Sequence, residues 1–124
     1  MSGIGGLDAI TIDCADPLTL GGFWAEVFGT ELGSVEGSPA QYVDLLPIAG
    51  IPILRFQRVP ERKRTKNRLH LDVSVTDLDE ACARVETLGG RRISEDAFVE
   101  YRYRWLVMAD PEGNEFCLVV REDG

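Results

Sequence analysis

The chain has a single histidine, three cysteines and no long apolar run among its 124 residues. One histidine, His70, excludes any centre built from several imidazoles within one protomer. Cys14, Cys82 and Cys117 stand at unrelated spacings, with no Cys-x-x-Cys pair for zinc and too few thiols for a disulfide framework. Such usage suits a reducing compartment, and a cytoplasmic protein is expected. No stretch approaches the roughly 20 apolar residues that a membrane helix needs. The start, Met1-Ser2-Gly3-Ile4-Gly5-Gly6, lacks the basic and apolar regions of a signal peptide. Basic residues are scarce: 13 Lys and Arg against 21 Asp and Glu leave a formal net charge of -8. That balance argues against nucleic acid as a partner, because phosphate contacts need a basic surface. A phosphate-cradling glycine loop and a serine elbow are also missing.

What is present is organised around Leu69 to Thr76. Leu69, Leu71, Val73 and Val75 alternate with His70, Asp72 and Ser74, a period of two that predicts a strand with one face in a core. Asp77 then has the form of a helix N-cap, with Glu80 three residues on in the capping-box position. Leu78, Ala81, Cys82, Val85 and Leu88 follow at helical spacing, and Gly89-Gly90 ends the run. The same unit occurs earlier. Leu7 to Cys14 reads as a strand, Asp16-Pro17 as a helix start, Leu20, Phe23, Trp24, Val27 and Phe28 as the apolar side of the helix, and Gly29 as its stop. Gly21-Gly22 inside that helix costs about 1 kcal/mol per glycine against alanine; a close approach to a sheet is the expected reason.

The repeat continues downstream. Tyr42 to Leu46 lies over Arg102 to Leu106, and Ile53 to Val59 over Gly113 to Val119, with short strands expected around Gly33 to Glu36 and Arg91 to Glu95. Each half therefore reads strand, helix and three strands. The expectation is one α+β domain over 1–124, with modules at about 7–59 and 68–121, eight strands and two main helices. A ferredoxin-like domain is the rival arrangement. The joining stretch 60–67 is basic, and in so acidic a chain it reads as a solvated linker rather than an anion site.

Residue parity divides each strand. Ile10, Ile12, Leu54, Phe56, Leu71, Val73, Val75, Phe116, Leu118 and Val120 fall on the side that must face the helices. The other side carries Ala9, Thr11, Asp13, Arg55, Gln57, His70, Asp72, Ser74, Glu115 and Cys117. A face this polar lines a ligand rather than a second core. Pairing of Arg55 with Asp72 or Glu115 fits the mixed charges. His70 reads either as a ligand or base, since an ordinary imidazole titrates near neutral pH, or as a neutral ring tied to Asp72 or Gln57. Cys14 and Cys82 read as core, and Cys117 as a reactive thiol or, more commonly for its type, a buried filler. Trp24 reads as packing and as a ligand-wall candidate. Trp105, beside Tyr101 and Tyr103, reads as an aromatic wall for a planar ligand. Asp110-Pro111-Glu112-Gly113-Asn114 is a turn by its chemistry.

Three segments carry a family likeness: Asp13-Cys14-Ala15-Asp16-Pro17 leading to Phe23-Trp24, then Lys66 to Asp72, then Asp110 to Cys117. On them the chain resembles the vicinal oxygen chelate superfamily, and within it the glyoxalase-like, bleomycin-resistance-type small proteins. The resemblance implies two tandem βαβββ modules whose strands form a curved, open barrel-like sheet around a pocket. It also implies homodimers, which unpaired sheet edges favour as well, and a divalent metal held at positions that here are Ala9, Gln57, His70 and Cys117. Only His70 fits that set, so a divalent metal is open but disfavoured, with His70 its ligand if one is present, and no cofactor is certain. The expected function is binding or transforming a small organic molecule in a concave polar pocket without the full metal site. The alternative is sequestration of an antibiotic or similar molecule without catalysis, and a purely assembling module ranks last. His70 and Glu115 are the catalytic candidates. Asp13, Trp24, Arg55, Gln57, Asp72, Trp105 and Cys117 are the candidates for ligand contact.

Overall fold

The computed structural model describes residues 3–122, so Met1, Ser2, Asp123 and Gly124, counted above within the domain, lie outside the described residues. The chain divides into two compact units, Met1–Arg62 and Lys63–Gly124.

In the first unit the order is β1 (Ala9–Cys14), α1 (Pro17–Phe28), β2 (Leu32–Glu36), β3 (Tyr42–Leu45) and β4 (Ile53–Arg58). The strands form a sheet in the order β1-β4-β3-β2, with β1 parallel to β4 and the other pairs antiparallel. The helix starts where the sequence says: the Asp16 carboxylate accepts from the Thr19 N–H at 3.2 Å, Pro17 opens the first turn, and Gly29 closes the last at φ 68°. Leu20, Phe23 and Trp24 of α1 are buried, as are Val43 and Leu45 of β3 and, on the expected parity of β4, Leu54 and Phe56. Gly21 is the contact point. A Cβ there would lie 3.1 Å from Leu32 Cδ2 and 3.4 Å from Val43 Cγ1, whereas at Gly22 it would meet nothing within 4 Å. The close approach accounts for Gly21 and leaves Gly22 unexplained.

The second unit repeats the plan: β5 (Asp72–Ser74), α2 (Leu78–Thr87), β6 (Arg91–Arg92), β7 (Phe98–Glu100), β8 (Tyr103–Ala109) and β9 (Glu115–Arg121). Its sheet runs β5-β9-β8-β6, with β7 also on β8. Asp77 caps α2 by accepting from the Glu80 N–H at 3.1 Å, and Gly89 beyond the helix end takes φ 103°. Leu78, Cys82 and Val85 of α2 are buried, as are Val73, Leu106, Met108, Phe116 and Leu118 of the sheet. The Asp110 turn is held by its own carboxylate: Oδ1 accepts from the N–H groups of Glu112 and Asn114, and the Asn114 amide bonds both oxygens. The fold class is thus α+β, with two βαβββ-type modules. Among the described residues no helix is long and apolar enough to cross a membrane.

Three expectations need correction. The strand expected from Leu69 is confined to Asp72–Ser74, with single ladder bonds beyond each end from Cys117 N to Leu71 O and from Val75 N to Val119 O. The Asn67 side chain takes both backbone groups of Glu115 that a longer strand would use. The strand expected around Arg91 to Glu95 is confined to Arg91–Arg92, and a second short piece follows beyond that range at Phe98–Glu100, making nine strands among the described residues. Between the pieces the Ser94 hydroxyl accepts from the Val107 N–H at 3.0 Å, replacing a ladder bond while the edge changes register. The repeat also needs a new alignment in its last strands. Thr11 lies opposite Arg55 and Asp72 opposite Cys117, so the counterpart of Cys117 is Arg55 and not Gln57.

Candidate functional site

The polar side of the second sheet bounds a pocket of about 900 Å³. Strand alternation places its lining: Asp72 and Ser74 from β5, Tyr103, Trp105 and Val107 from β8, and Glu115, Cys117 and Val119 from β9. His70 and Lys66 enter from the chain before β5, and Ile93, Glu100 and Tyr101 from the edge. Trp105 stacks on its cross-strand neighbour Phe98, ring centroids 5.6 Å apart and 26° between planes, which stiffens that wall. Tyr101, in the turn between β7 and β8, is almost fully exposed and holds a positive φ of 54°, a conformation that costs a side-chain-bearing residue energy.

Glu115 is the most elaborately held group. Its Oε1 accepts from Lys63 Nζ at 2.9 Å, while Oε2 is buried with no hydrogen-bond partner among the described residues. Burial alone would push this carboxyl up. The Lys63 hydrogen bond and charge, with the N–H groups of Glu115 and Asn67, outweigh it and hold the group below the usual carboxylate range. Glu115 is therefore an anion at neutral pH and a weak base. Lys63 and Asn67 fall in the stretch read as a solvated linker, and both are instead tied to this residue.

His70, Asp72 and Cys117 converge on one spot. His70 Nε2 lies 3.4 Å from Asp72 Oδ1, and one donor atom from each of the three side chains lies within 4.8 Å of the others. The Cys117 thiol is hydrogen-bonded to Asp72. Burial pushes its pKa up, and the Asp72 charge pushes it further. A thiol bonded to a carboxylate rather than to a base stays protonated, which argues against a free nucleophilic thiolate.

The remaining sequence candidates lie elsewhere. Trp24 is 2% exposed, packed edge-on to Phe23 and stacked on Phe28 in the core of the first unit, so it lines no ligand wall. Its place on the buried face of α1 decides this. Arg55 pairs with Asp44 through two bonds of 2.7 and 3.0 Å, not with Asp72 or Glu115, because β3 sets Asp44 directly opposite it. The Asp44 hydrogen bond and charge raise the Arg55 pKa further. With Ser34, Glu36 and Tyr42 this pair lines a pocket of about 260 Å³. Asp13 and half-buried Gln57 are cross-strand neighbours in the first unit. Ala9 has no donor and Gln57 offers a neutral amide, while the true counterpart of Cys117 is a cation; the metal set implied by the family likeness does not fit this chain. Sequence reasoning missed Lys63, Lys66, Asn67 and Glu100. Only the charge of the basic stretch hinted at the lysines.

Comparison with known proteins agrees with the architecture. A family profile described as a glyoxalase-like domain matches residues 9–119. No curated protein sequence matches the chain. Among solved structures, the fosfomycin resistance protein FosX from Listeria monocytogenes is 21% identical, with 94% of this chain and 93% of that one covered and a TM-score of 0.72. A glyoxalase/bleomycin resistance protein/dioxygenase from Nocardioides is 16% identical, with 100% and 88% covered and a TM-score of 0.71. TioX from Micromonospora sp. ML1 is 19% identical, with 94% and 99% covered and a TM-score of 0.64. At these identities the likeness is one of fold.

Proposed function

The chain belongs to the glyoxalase-like domain family of the vicinal oxygen chelate superfamily, and from that premise we propose that the pocket of its second module binds a small planar organic molecule bearing an N–H or ammonium donor. The observation that carries this reading is Glu115, a carboxylate lining a pocket of ligand size, whose buried Oε2 has no hydrogen-bond partner among the described residues. Leaving such a group unsatisfied costs about 1–3 kcal/mol, which a ligand donor recovers when a turn of the side chain presents the oxygen to the pocket. Two further features support it. Trp105 and Tyr103 offer flat apolar area, and three carboxylates, Asp72, Glu100 and Glu115, stand against two ammonium groups, Lys66 in the lining and Lys63 on Glu115. The excess of negative charge favours a cation.

Binding without conversion is the preferred form of the reading, since the Cys117 thiol is protonated and Glu115 is a weak base. Resistance is named in the descriptions of the Listeria and Nocardioides proteins, and the latter also names glyoxalase and dioxygenase, so small-molecule binding and conversion are both uses compatible with this fold. Should the bound molecule turn over, His70 is the lining group suited to proton transfer. The test is a thermal-shift screen of planar cationic, neutral and anionic compounds, followed by calorimetry on the hits. Cationic aromatic compounds are expected to bind at one per chain, to quench Trp105 fluorescence, and to lose at least tenfold in affinity, about 1.4 kcal/mol, in Glu115→Gln. Preference for anions, or affinity unchanged in Glu115→Gln and Trp105→Ala, would overturn the reading.

A further inference from the structure

We propose that the polar face of the first module binds a small zwitterion, a molecule carrying one carboxylate and one ammonium group, in the pocket lined by Ser34, Glu36, Tyr42, Asp44 and Arg55. The site lies wholly within the first module and does not depend on the ligand proposed above for the second.

Strand register builds this face. Glu36 stands opposite Tyr42, Tyr42 opposite Gln57 and Gln57 opposite Asp13, so one polar row crosses the whole sheet. Asp44, Arg55 and Thr11 form the row beside it. Alternation sends Val43, Leu45, Leu54 and Phe56 to the other side, where they are buried and where Gly21 of α1 approaches Val43 and Phe56. The register of β2 shifts between Leu32 and Val35, at the place where Ser34 joins the lining. Such bulges re-aim a side chain and are frequent beside functional sites. The pocket measures about 260 Å³. At roughly 30 Å³ per water that is the space of about nine waters, which suits a molecule the size of an amino acid.

The unused groups of the lining carry both signs. An arginine presents its N–H donors as a rigid planar fork. Arg55 gives Nε to Asp44 at 2.7 Å and Nη2 at 3.0 Å, which leaves the Nη1 edge for another acceptor. Asp44 is held and neutralised by that pair. The Glu36 carboxylate and the hydroxyls of Ser34 and Tyr42 have no hydrogen-bond partner among the described residues. Tyr42 stands between the two charges, opposite Glu36 and two residues before Asp44 on the same strand face. An anion alone would meet Glu36 and Asp44, together with Asp8, whose charge also reaches Arg55. A cation alone would meet the Arg55 guanidinium. A molecule with both charges escapes either repulsion. Its carboxylate takes the Nη1 edge in a charge-assisted bond, and its ammonium takes Glu36 against the exposed Tyr42 ring.

The experiment titrates the full chain, labelled with ¹⁵N, with glycine and with 4-aminobutanoate, zwitterions of short and longer charge separation. Acetate and methylammonium are the singly charged controls, and amide shifts are the readout. Saturable shifts confined to β2, β3 and β4 are expected with at least one zwitterion, and at least tenfold weaker binding of both controls. Arg55→Lys keeps the charge but loses the fork, and affinity should fall at least tenfold. Because that change also breaks the pair with Asp44 and can unsettle the sheet, Glu36→Gln carries the decisive arm. Its exposed side chain makes no contact to lose, so the fold stays intact while affinity falls at least tenfold. Glu115→Gln, in the other module, should leave the titration unchanged. No saturable shift with either zwitterion, equal binding of acetate or methylammonium, or affinity unchanged in Glu36→Gln would each overturn the proposal.

Discussion

The Asn67 side chain brackets the backbone of Glu115: its Oδ1 accepts from the Glu115 N–H at 3.0 Å, and its Nδ2 donates to the Glu115 carbonyl at 3.2 Å. One amide thus mimics a strand residue, ends the ladder between β5 and β9, and fixes a residue that lines the pocket. Asn67→Ala leaves both backbone groups of Glu115 without that partner. A loss of about 1–3 kcal/mol of stability is expected, measured by urea unfolding, together with weaker binding of any ligand that Glu115 contacts. Asn67→Asp keeps the acceptor and loses the donor, so it should fall between wild type and alanine. Unchanged stability in Asn67→Ala would show that water replaces the amide without cost.

Tyr101 sits at φ 54° in the turn between β7 and β8, where glycine is at ease and tyrosine is not. Tyr101→Gly should relieve the turn, leaving stability unchanged or higher by up to about 1 kcal/mol. It should nevertheless weaken ligand binding, because it removes ring area from the pocket rim. Thermal melting and calorimetry on the same samples separate the two effects. Lower stability with unchanged binding would make Tyr101 a structural turn residue only.

The two adjacent glycines of α1 should respond in opposite senses. Gly22→Ala meets open space and gains helix propensity, so stability should rise by up to about 1 kcal/mol. Gly21→Ala places a methyl 3.1 Å from Leu32 Cδ2 and against Val43 and Phe56, which are buried and have little room to yield. Packing strain there should outweigh the propensity gain and lower stability. Denaturant midpoints of the two variants test the contrast directly.

Acid should cost stability at two identified places. The Asp16 carboxyl is held below its ordinary value by its hydrogen bonds to the Thr19 hydroxyl and N–H, and Glu115 is held low because Lys63 and the nearby N–H groups outweigh burial. A carboxyl with a depressed folded-state pKa stabilises the fold fully above its unfolded pKa, near 4, and loses that contribution as pH falls through the folded value. Unfolding midpoints should therefore decline below about pH 4. The gap between wild type and Asp16→Ala, about 1 kcal/mol at neutral pH for an N-cap, should close across the same range. A gap independent of pH would remove the charged cap from the account.

The sequence by itself determined the features that depend on neighbours along the chain. Asp16 and Asp77 cap helices because a carboxylate three residues ahead of a free N–H needs no tertiary help. The buried and polar faces of β4, β5 and β9 follow from a side-chain period of two, and the repeat of strand, helix and strands follows from the recurrence of both signals. Tertiary structure alone decided which polar groups meet. Arg55 faces Asp44 because β3 lies beside β4, and Asp72 meets Cys117 because β9 pairs with β5 in one register. Lys63 reaches Glu115 across 52 positions of chain, and Trp24 turns from a ligand candidate into core through the face of α1 that the sheet covers. Register is a choice among long-range pairings whose energies differ only once whole faces are buried, and a residue-by-residue reading does not contain those energies.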